Sequence, residues 1–102
     1  MHQPLEYNFT TDAIHLSGAL VFNAHPRWRQ MLRQMPAPQK DTEIRLDMAA
    51  IDHLDAAGLG LLLITHDSLK AQQARLVLSR PTGAVRRVLE VSGFTAMVRI
   101  ED

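Results

Sequence analysis

The four residues Asp55-Ala56-Ala57-Gly58 are the part of this sequence best suited to a binding role, because they lie where a strand pattern changes to a helix pattern. Asp55 occupies a helix N-cap position, where its carboxylate can accept hydrogen bonds from the free N–H groups of the first turn. Ala56, Ala57 and Gly58 then leave that turn without bulky side chains. The N-terminus of a helix is a natural site for an anion or a phosphorylated hydroxyl. The segment therefore has the shape of a phosphate-switched site but lacks the hydroxyl that would be phosphorylated.

The histidine and carboxylate side chains near this segment do not have the pattern of a metal site. His53 and Asp55 have the spacing of some ligand pairs, but a structural zinc site takes about four ligands, and the chain has no cysteine. His66 and Asp67 are adjacent on a predicted helix, where neighbouring side chains diverge too far to share one ion. We therefore expect no metal.

Nucleophilic catalysis and phosphate binding also lack their usual patterns. None of the serines has the strand–elbow–helix setting with flanking glycines that exposes a hydrolase nucleophile. Gly58-Leu59-Gly60 is too short for a phosphate-cradling loop, and no Gly-Lys-Ser/Thr follows it. The sequence predicts neither an enzyme nor a cofactor-binding protein.

The chain has 102 residues, with eleven acidic and eleven basic side chains, so its formal net charge is zero. This length predicts one domain that spans residues 1–102. The balanced charge argues against a nucleic-acid partner, because binding to a phosphate backbone needs a positive excess. Residues 1–4 lack a secretion signal pattern, and the longest apolar run, 59–64, is too short to cross a bilayer. We expect a cytoplasmic protein that does not insert into membranes.

The apolar residues predict strands that alternate with helices. Strands are predicted at residues 5–9, 13–18, 44–48, 76–78 and 97–100. A first helix carries Trp28 on its apolar stripe after an N-cap at Asn23. A second helix spans 57–73, and a third ends near Gly93. This alternation predicts a small α/β domain with parallel strand pairs.

The arrangement resembles the STAS domain, which bacterial anti-sigma factor antagonists share with the cytosolic ends of sulfate transporters. The resemblance covers nearly the whole chain. It rests on residues 44–47 followed by 55–63, together with 85–94 near the end. It implies an α/β fold with a central mixed sheet of four to five strands and about three to four helices packed mainly on one side.

The resemblance also implies a partner. In the antagonists this turn usually reads Asp-Ser-Ser/Thr-Gly, and a kinase that is also the anti-sigma factor phosphorylates the hydroxyl just before the glycine. Here that position is Ala57. The resemblance implies that Asp55, Ala56, Ala57, Gly58 and Leu59 contact an anti-sigma factor or serine kinase in a bacterial partner-switching system. Because Ala57 has no hydroxyl, we expect the chain to stay in its partner-binding form.

Several alternatives stay open. Residues 55–58 are also compatible with a capped helix start whose small residues permit tight helix–sheet packing and nothing more. Alanine at position 56 or 57 is compatible with replacement of a natural serine. As functions, the alternatives are an accessory subunit of an ABC-type membrane transporter and a small-ligand sensor with a pocket at the strand ends. The sequence does not decide the oligomeric state, so a homo-oligomer is also open.

Overall fold

Five strands and three α-helices alternate along residues 3–102, the part of the chain that the structure, a computed structural model, describes. In chain order they are β1 (Glu6–Phe9), β2 (Ile14–Leu20), α1 (His25–Gln34), β3 (Glu43–Leu54), α2 (Ala56–Ala71), β4 (Arg75–Ser79), α3 (Gly83–Val91) and β5 (Arg99–Glu101). Single turns of 3-10 helix, Phe22–Ala24 and Phe94–Ala96, precede α1 and β5. Met1 and His2, which begin the segment without a secretion signal pattern, lie outside the described residues.

The strands form one mixed sheet in the order β1-β2-β3-β4-β5. β1 and β2 are antiparallel, whereas each later strand runs parallel to the one before it. Each α-helix connects one parallel strand to the next strand in the same direction across the sheet. Because such connections are right-handed, all three α-helices pack on the same face of the sheet. The predicted fold class, a mixed sheet of four to five strands with three to four helices mainly on one side, is confirmed.

The core lies between the sheet and these helices. The helix-facing side of the sheet presents fully buried apolar side chains, among them Leu46, Met48 and Leu78. The indole Nε1 of Trp28 on α1 donates to Thr65 Oγ1 on α2 over 3.0 Å, inside the core. This bond satisfies a buried polar group on each helix and fixes α1 against α2.

β3 differs most from the sequence prediction, because it runs over Glu43–Leu54 rather than 44–48. Its pairing with β2 is interrupted by two β-bulges on the β3 side, one opposite the step from His15 to Ser17 and one opposite the step from Gly18 to Ala19. A bulge adds an unpaired residue and breaks the alternation of inward and outward side chains. The second half of β3 therefore has no strand pattern in the sequence, although it carries the chain to the start of α2.

Two other predictions were wrong at their boundaries. Asn23 is not the N-cap of α1, since it lies in the preceding 3-10 turn and Ala24 takes the cap position without a side-chain hydrogen bond. The last strand is Arg99–Glu101 rather than 97–100, because the 3-10 turn Phe94–Ala96 occupies the approach to it. Such short 3-10 turns are connectors, and the apolar pattern does not mark them.

Candidate functional site

The start of α2 is held against the end of β2 by one carboxylate. Asp55 is the N-cap, as predicted, and its Oδ1 accepts from the Gly58 backbone N–H over 2.8 Å. Its Oδ2 accepts from the Phe22 backbone N–H over 3.2 Å. The Asp55 backbone N–H donates to the Leu20 carbonyl oxygen over 3.4 Å. Both carboxylate oxygens therefore accept hydrogen bonds from backbone N–H groups, and together they fix the 3-10 turn at Phe22 beside the start of α2.

Gly58 sets the distance between α2 and β2. A Cβ atom added at this position would lie 2.0 Å from the Leu20 carbonyl oxygen and 2.8 Å from Leu54 Cδ1. Carbon and oxygen atoms do not approach that closely, so the helix can lie here only because residue 58 has no side chain. Gly58 is thus a packing residue, and it determines how far Ala57 projects above the sheet.

The five predicted contact residues lie together in this one turn but differ in exposure. Ala56 is exposed, whereas Ala57 and Leu59 are half-buried. Asp55 is half-buried with its carboxylate engaged, and Gly58 is buried. The side chains of Ala56, Ala57 and Leu59 therefore give the turn a small, uncharged apolar surface, next to the half-buried Asp55 and above the buried Gly58. Their role as partner contacts stays a prediction.

The first half of α2 is apolar on every side, since residues 56–64 contain no polar side chain. A helix of this kind is normally covered all round. Here its outer side is open, with Leu63 39% exposed and Ile64 63% exposed. The exposed apolar side indicates an interaction surface.

A groove of about 550 Å³ runs between α2 and the start of α1, next to the turn. We call it the α1–α2 groove, and its lining residues are Phe22, Asn23, His25, Pro26, Ala57, Gly60, Leu61 and Ile64. Phe22 lines the groove on the α1 side and Ile64 lines it on α2, and Phe22 is 74% exposed. The groove extends the apolar surface of the turn towards α1.

Sequence reasoning missed Phe22 and Ile64 as surface residues. Phe22 follows a strand and precedes a helix, and its place beside Ala57 depends on the long-range hydrogen bond to Asp55 Oδ2. Ile64 ends the apolar run 59–64, and nothing in that run marks its side chain as exposed. The available signal was the absence of any polar residue over 56–64, which leaves one side of that helix without a solvated face.

A second polar cluster lies on the open face of the sheet, opposite the helices. The buried Asp47 carboxylate accepts from His15 Nδ1 at 2.7 Å and from Arg80 Nη2 at 2.5 Å through Oδ2. Its Oδ1 accepts from the Ala49 backbone N–H at 3.1 Å. Burial by itself would raise the pKa of Asp47, but the hydrogen bonds from Arg80, Ala49 and His15 outweigh it and hold the pKa below its ordinary value.

This lowered pKa predicts an acid-sensitive fold. A carboxyl group whose pKa is lower in the folded state contributes stability above its unfolded pKa, near 4, and loses it as the pH falls through the folded value. We expect the free energy of unfolding to fall below about pH 4, with a smaller fall in Asp47→Asn. Denaturant titrations across this range measure it, with Asp52→Asn at an exposed position of the same strand as control. Identical pH profiles for wild type and Asp47→Asn would contradict the role of this carboxylate.

The histidine and carboxylate side chains do not form a metal-binding cluster in the described part of the chain. Within residues 3–102, no three histidine, cysteine or carboxylate side chains lie close enough together to hold a metal ion. Over the same residues, no α-helix has the length and apolar character needed to cross a bilayer.

A polar groove of about 710 Å³ lies between α2 and the last two strands, at the end of the sheet away from Asp55. It is lined in part by Glu43, Arg75 and Arg99. The Glu43 carboxylate forms ion pairs with Arg75 at 3.9 Å and with Arg99 at 3.5 Å. The groove is also lined by Asp67 and Lys70, and this mixture of charges does not specify a ligand, so the small-ligand sensor stays a prediction.

The chain is similar in sequence or in structure to several known proteins. A STAS-domain containing protein of Pseudomonas aeruginosa is 25% identical over 87 residues, which cover 85% of this chain and 84% of that protein. The anti-sigma-B factor antagonist of Listeria monocytogenes is 27% identical over 89 residues, which cover 87% and 77%. The crystal structure of a candidate anti-sigma factor antagonist from Thermotoga maritima superposes with a TM-score of 0.73 at 19% identity, over 96% of this chain and 86% of that one.

The sequence model of one family matches almost the whole described chain. The family is the STAS domain, and the matched residues are 6–102. They include all five strands, the three α-helices and the turn at the start of α2. The chain belongs to the STAS domain family.

Proposed function

We propose that this chain is a non-enzymatic interaction module of a bacterial partner-switching system and works in the cytoplasm as an anti-sigma factor antagonist does. Its partner is an anti-sigma factor with serine kinase activity. The partner binds the turn at the start of α2, where Asp55 and Gly58 position Ala56, Ala57 and Leu59. The observation that carries the proposal is this capped turn, whose Ala56, Ala57 and Leu59 side chains are apolar, at the beginning of a helix whose outer side is uncovered.

Two independent features support the proposal. The similarity to the Listeria anti-sigma-B factor antagonist extends over most of both chains and is not confined to the turn. The apolar outer side of α2 is contiguous with the turn, so a partner has more surface to contact than the turn alone supplies. A capped helix start that served packing alone would not require Leu63 and Ile64 to remain exposed.

The chemistry of the turn indicates constant binding rather than a switch. Phosphorylation adds about −1.5 to −2 charges and three strong acceptor oxygens. Ala57 cannot receive a phosphate, so its surface stays neutral and compatible with an apolar partner. The next hydroxyls along α2 do not replace it. Thr65 is buried and donates to the Leu61 carbonyl oxygen at 2.8 Å, and Ser68 lies about 16 Å farther along the helix axis than Ala57.

Incubation with the cognate kinase and ATP tests this assignment. We expect wild type to bind the kinase and to gain no phosphate at the turn, because neither alanine has a hydroxyl. Ala57→Ser should gain one phosphate, whereas Ala56→Ser, its matched control one residue away, should gain none. Intact-mass measurement and phosphopeptide mapping give the result. Full phosphorylation of wild type at Ser68 would contradict constant binding, since the switch would then lie elsewhere on α2.

A further inference from the structure

We infer that the α1–α2 groove receives an acidic amphipathic helix of the partner protein, laid along α2 with its apolar side chains between Phe22 and Ile64. This inference rests on the proposed function and deepens it, because it states the chemistry of the partner's contacting segment. Three features of the groove carry it: an exposed aromatic side chain on one side, a floor without projecting side chains, and an unpaired arginine at its border.

The backbone that carries Phe22 is ordered before a partner binds. Phe22 is 74% exposed, yet its backbone N–H is held by Asp55 Oδ2 at 3.2 Å, and the turn continues directly into α1. A large apolar side chain on an ordered backbone binds without a cost for ordering that backbone. Aromatic residues that fill apolar contacts are frequent energetic centres of interfaces. Phe22 therefore has the properties of an anchor for an incoming apolar side chain.

The floor of the groove has the size and length that suit a helix. Ala57, Gly60 and Leu61 form it along α2, and a Cβ atom added at Gly60 would meet no atom within 4 Å. Ala57 and Ile64 are seven residues apart, which is about 10 Å along the helix axis. A partner helix presents its apolar residues at i, i+3, i+4 and i+7 over the same distance. An apolar stripe two turns long thus matches the groove.

The border of the groove on the α1 side is cationic. His25 lines the groove, and Arg29 follows it four residues later on the same face of α1. Within residues 3–102, Arg29 and Arg33 take part in no ion pair, whereas Arg27 pairs with Glu6 on another face of the helix. The guanidinium of Arg29 is therefore free to meet a carboxylate.

Beyond the far end of the groove, α2 carries one acidic group. Asp67 lies one turn after Ile64, lines the neighbouring polar groove rather than this one, and forms no ion pair over the described residues. Carboxylates on the partner therefore pair best along the α1 side, next to Arg29. Complementary charge at an interface border sets orientation and selects between partners. An apolar stripe with acidic residues on its α1-facing flank fits this arrangement.

Affinity for the anti-sigma factor, measured by calorimetry, tests the groove with matched variants. Phe22→Ala and Arg29→Glu should each weaken binding at least tenfold. Val91→Ala, at a position 77% exposed on α3, and Lys40→Glu, in the loop before β3, are the controls and should change affinity less than twofold. All four positions are exposed or border loops, so circular dichroism should show each variant folded.

The same titration separates failure of this inference from failure of the proposed function. If Ala57→Glu weakens binding while Phe22→Ala and Arg29→Glu do not, the partner uses the turn but not the groove, and this inference is wrong. If wild type does not bind an anti-sigma factor at all, the proposed function is wrong. The preference of the groove for an acidic helix is then tested by the peptide titrations alone.

Two synthetic helical peptides test the charge preference directly. Both carry leucine at i, i+3, i+4 and i+7, and their remaining positions are glutamate in one and lysine in the other. We expect the glutamate peptide to shift the amide NMR signals of Gly60 and Ile64 and the lysine peptide to shift them at least fivefold less. Equal shifts from both peptides would overturn the acidic assignment. A wild-type dimer in sedimentation that Phe22→Ala dissociates would overturn it in favour of a second copy of this chain.

Discussion

Gly58→Ala is expected to lower the free energy of unfolding by about 3 kcal/mol or more, at the upper end of the range for overpacking. The added methyl carbon would lie 2.0 Å from the Leu20 carbonyl oxygen, which is backbone and cannot rotate away. Relief therefore requires α2 to move away from the end of β2. That movement would break the close packing above Leu54 and shift the turn at Ala57. Denaturant unfolding measures the change.

Gly60→Ala is the matched control, two residues farther along the same helix. A Cβ atom at Gly60 meets nothing within 4 Å, so the substitution adds no clash. Alanine is preferred over glycine inside a helix by about 1 kcal/mol, so we expect a small gain in stability. If Gly58→Ala and Gly60→Ala were equally stable, the close approach of α2 to β2 would be contradicted, and with it the position of Ala57.

Local sequence patterns predicted much of the fold for a physical reason. β4 is buried on both faces and reads as a short apolar run, and α1 has one apolar stripe through Trp28 and Met31. Both patterns follow from the geometry of a single element. The length of β3 could not be predicted in the same way, because its two bulges depend on pairing with β2.

For the candidate site, too, the local contacts could be predicted from the sequence and the long-range contacts could not. The N-cap at Asp55 is local, since its Oδ1 bonds to the N–H three residues later. Its second oxygen bonds to Phe22, which lies 33 residues earlier in the chain. The groove beside the turn depends on that long-range bond and on the packing of α1 against α2 through Trp28 and Thr65. No periodic pattern in a single element contains this information.

Ala57→Glu is expected to have the largest effect on partner binding while leaving the fold intact. Ala57 lies in the first turn of α2, where a negative charge is favoured by the free N–H groups and the helix dipole. Its side chain lines the α1–α2 groove, so glutamate would bring a charge and four more heavy atoms onto a neutral apolar surface. Burying an unpaired carboxylate against the partner is costly. We expect affinity to fall at least tenfold, which corresponds to 1.4 kcal/mol.

Calorimetric titration of the anti-sigma factor with wild type, Ala57→Glu and Ala57→Gln tests the central claim most directly. Glutamine has nearly the size of glutamate without its charge, so the pair separates bulk from charge. Binding through a neutral turn predicts tight binding by wild type, weaker binding by Ala57→Gln and the weakest by Ala57→Glu, with all three proteins folded. Equal affinity of wild type and Ala57→Glu would contradict the claim and leave residues 55–58 as a helix start without a role in binding.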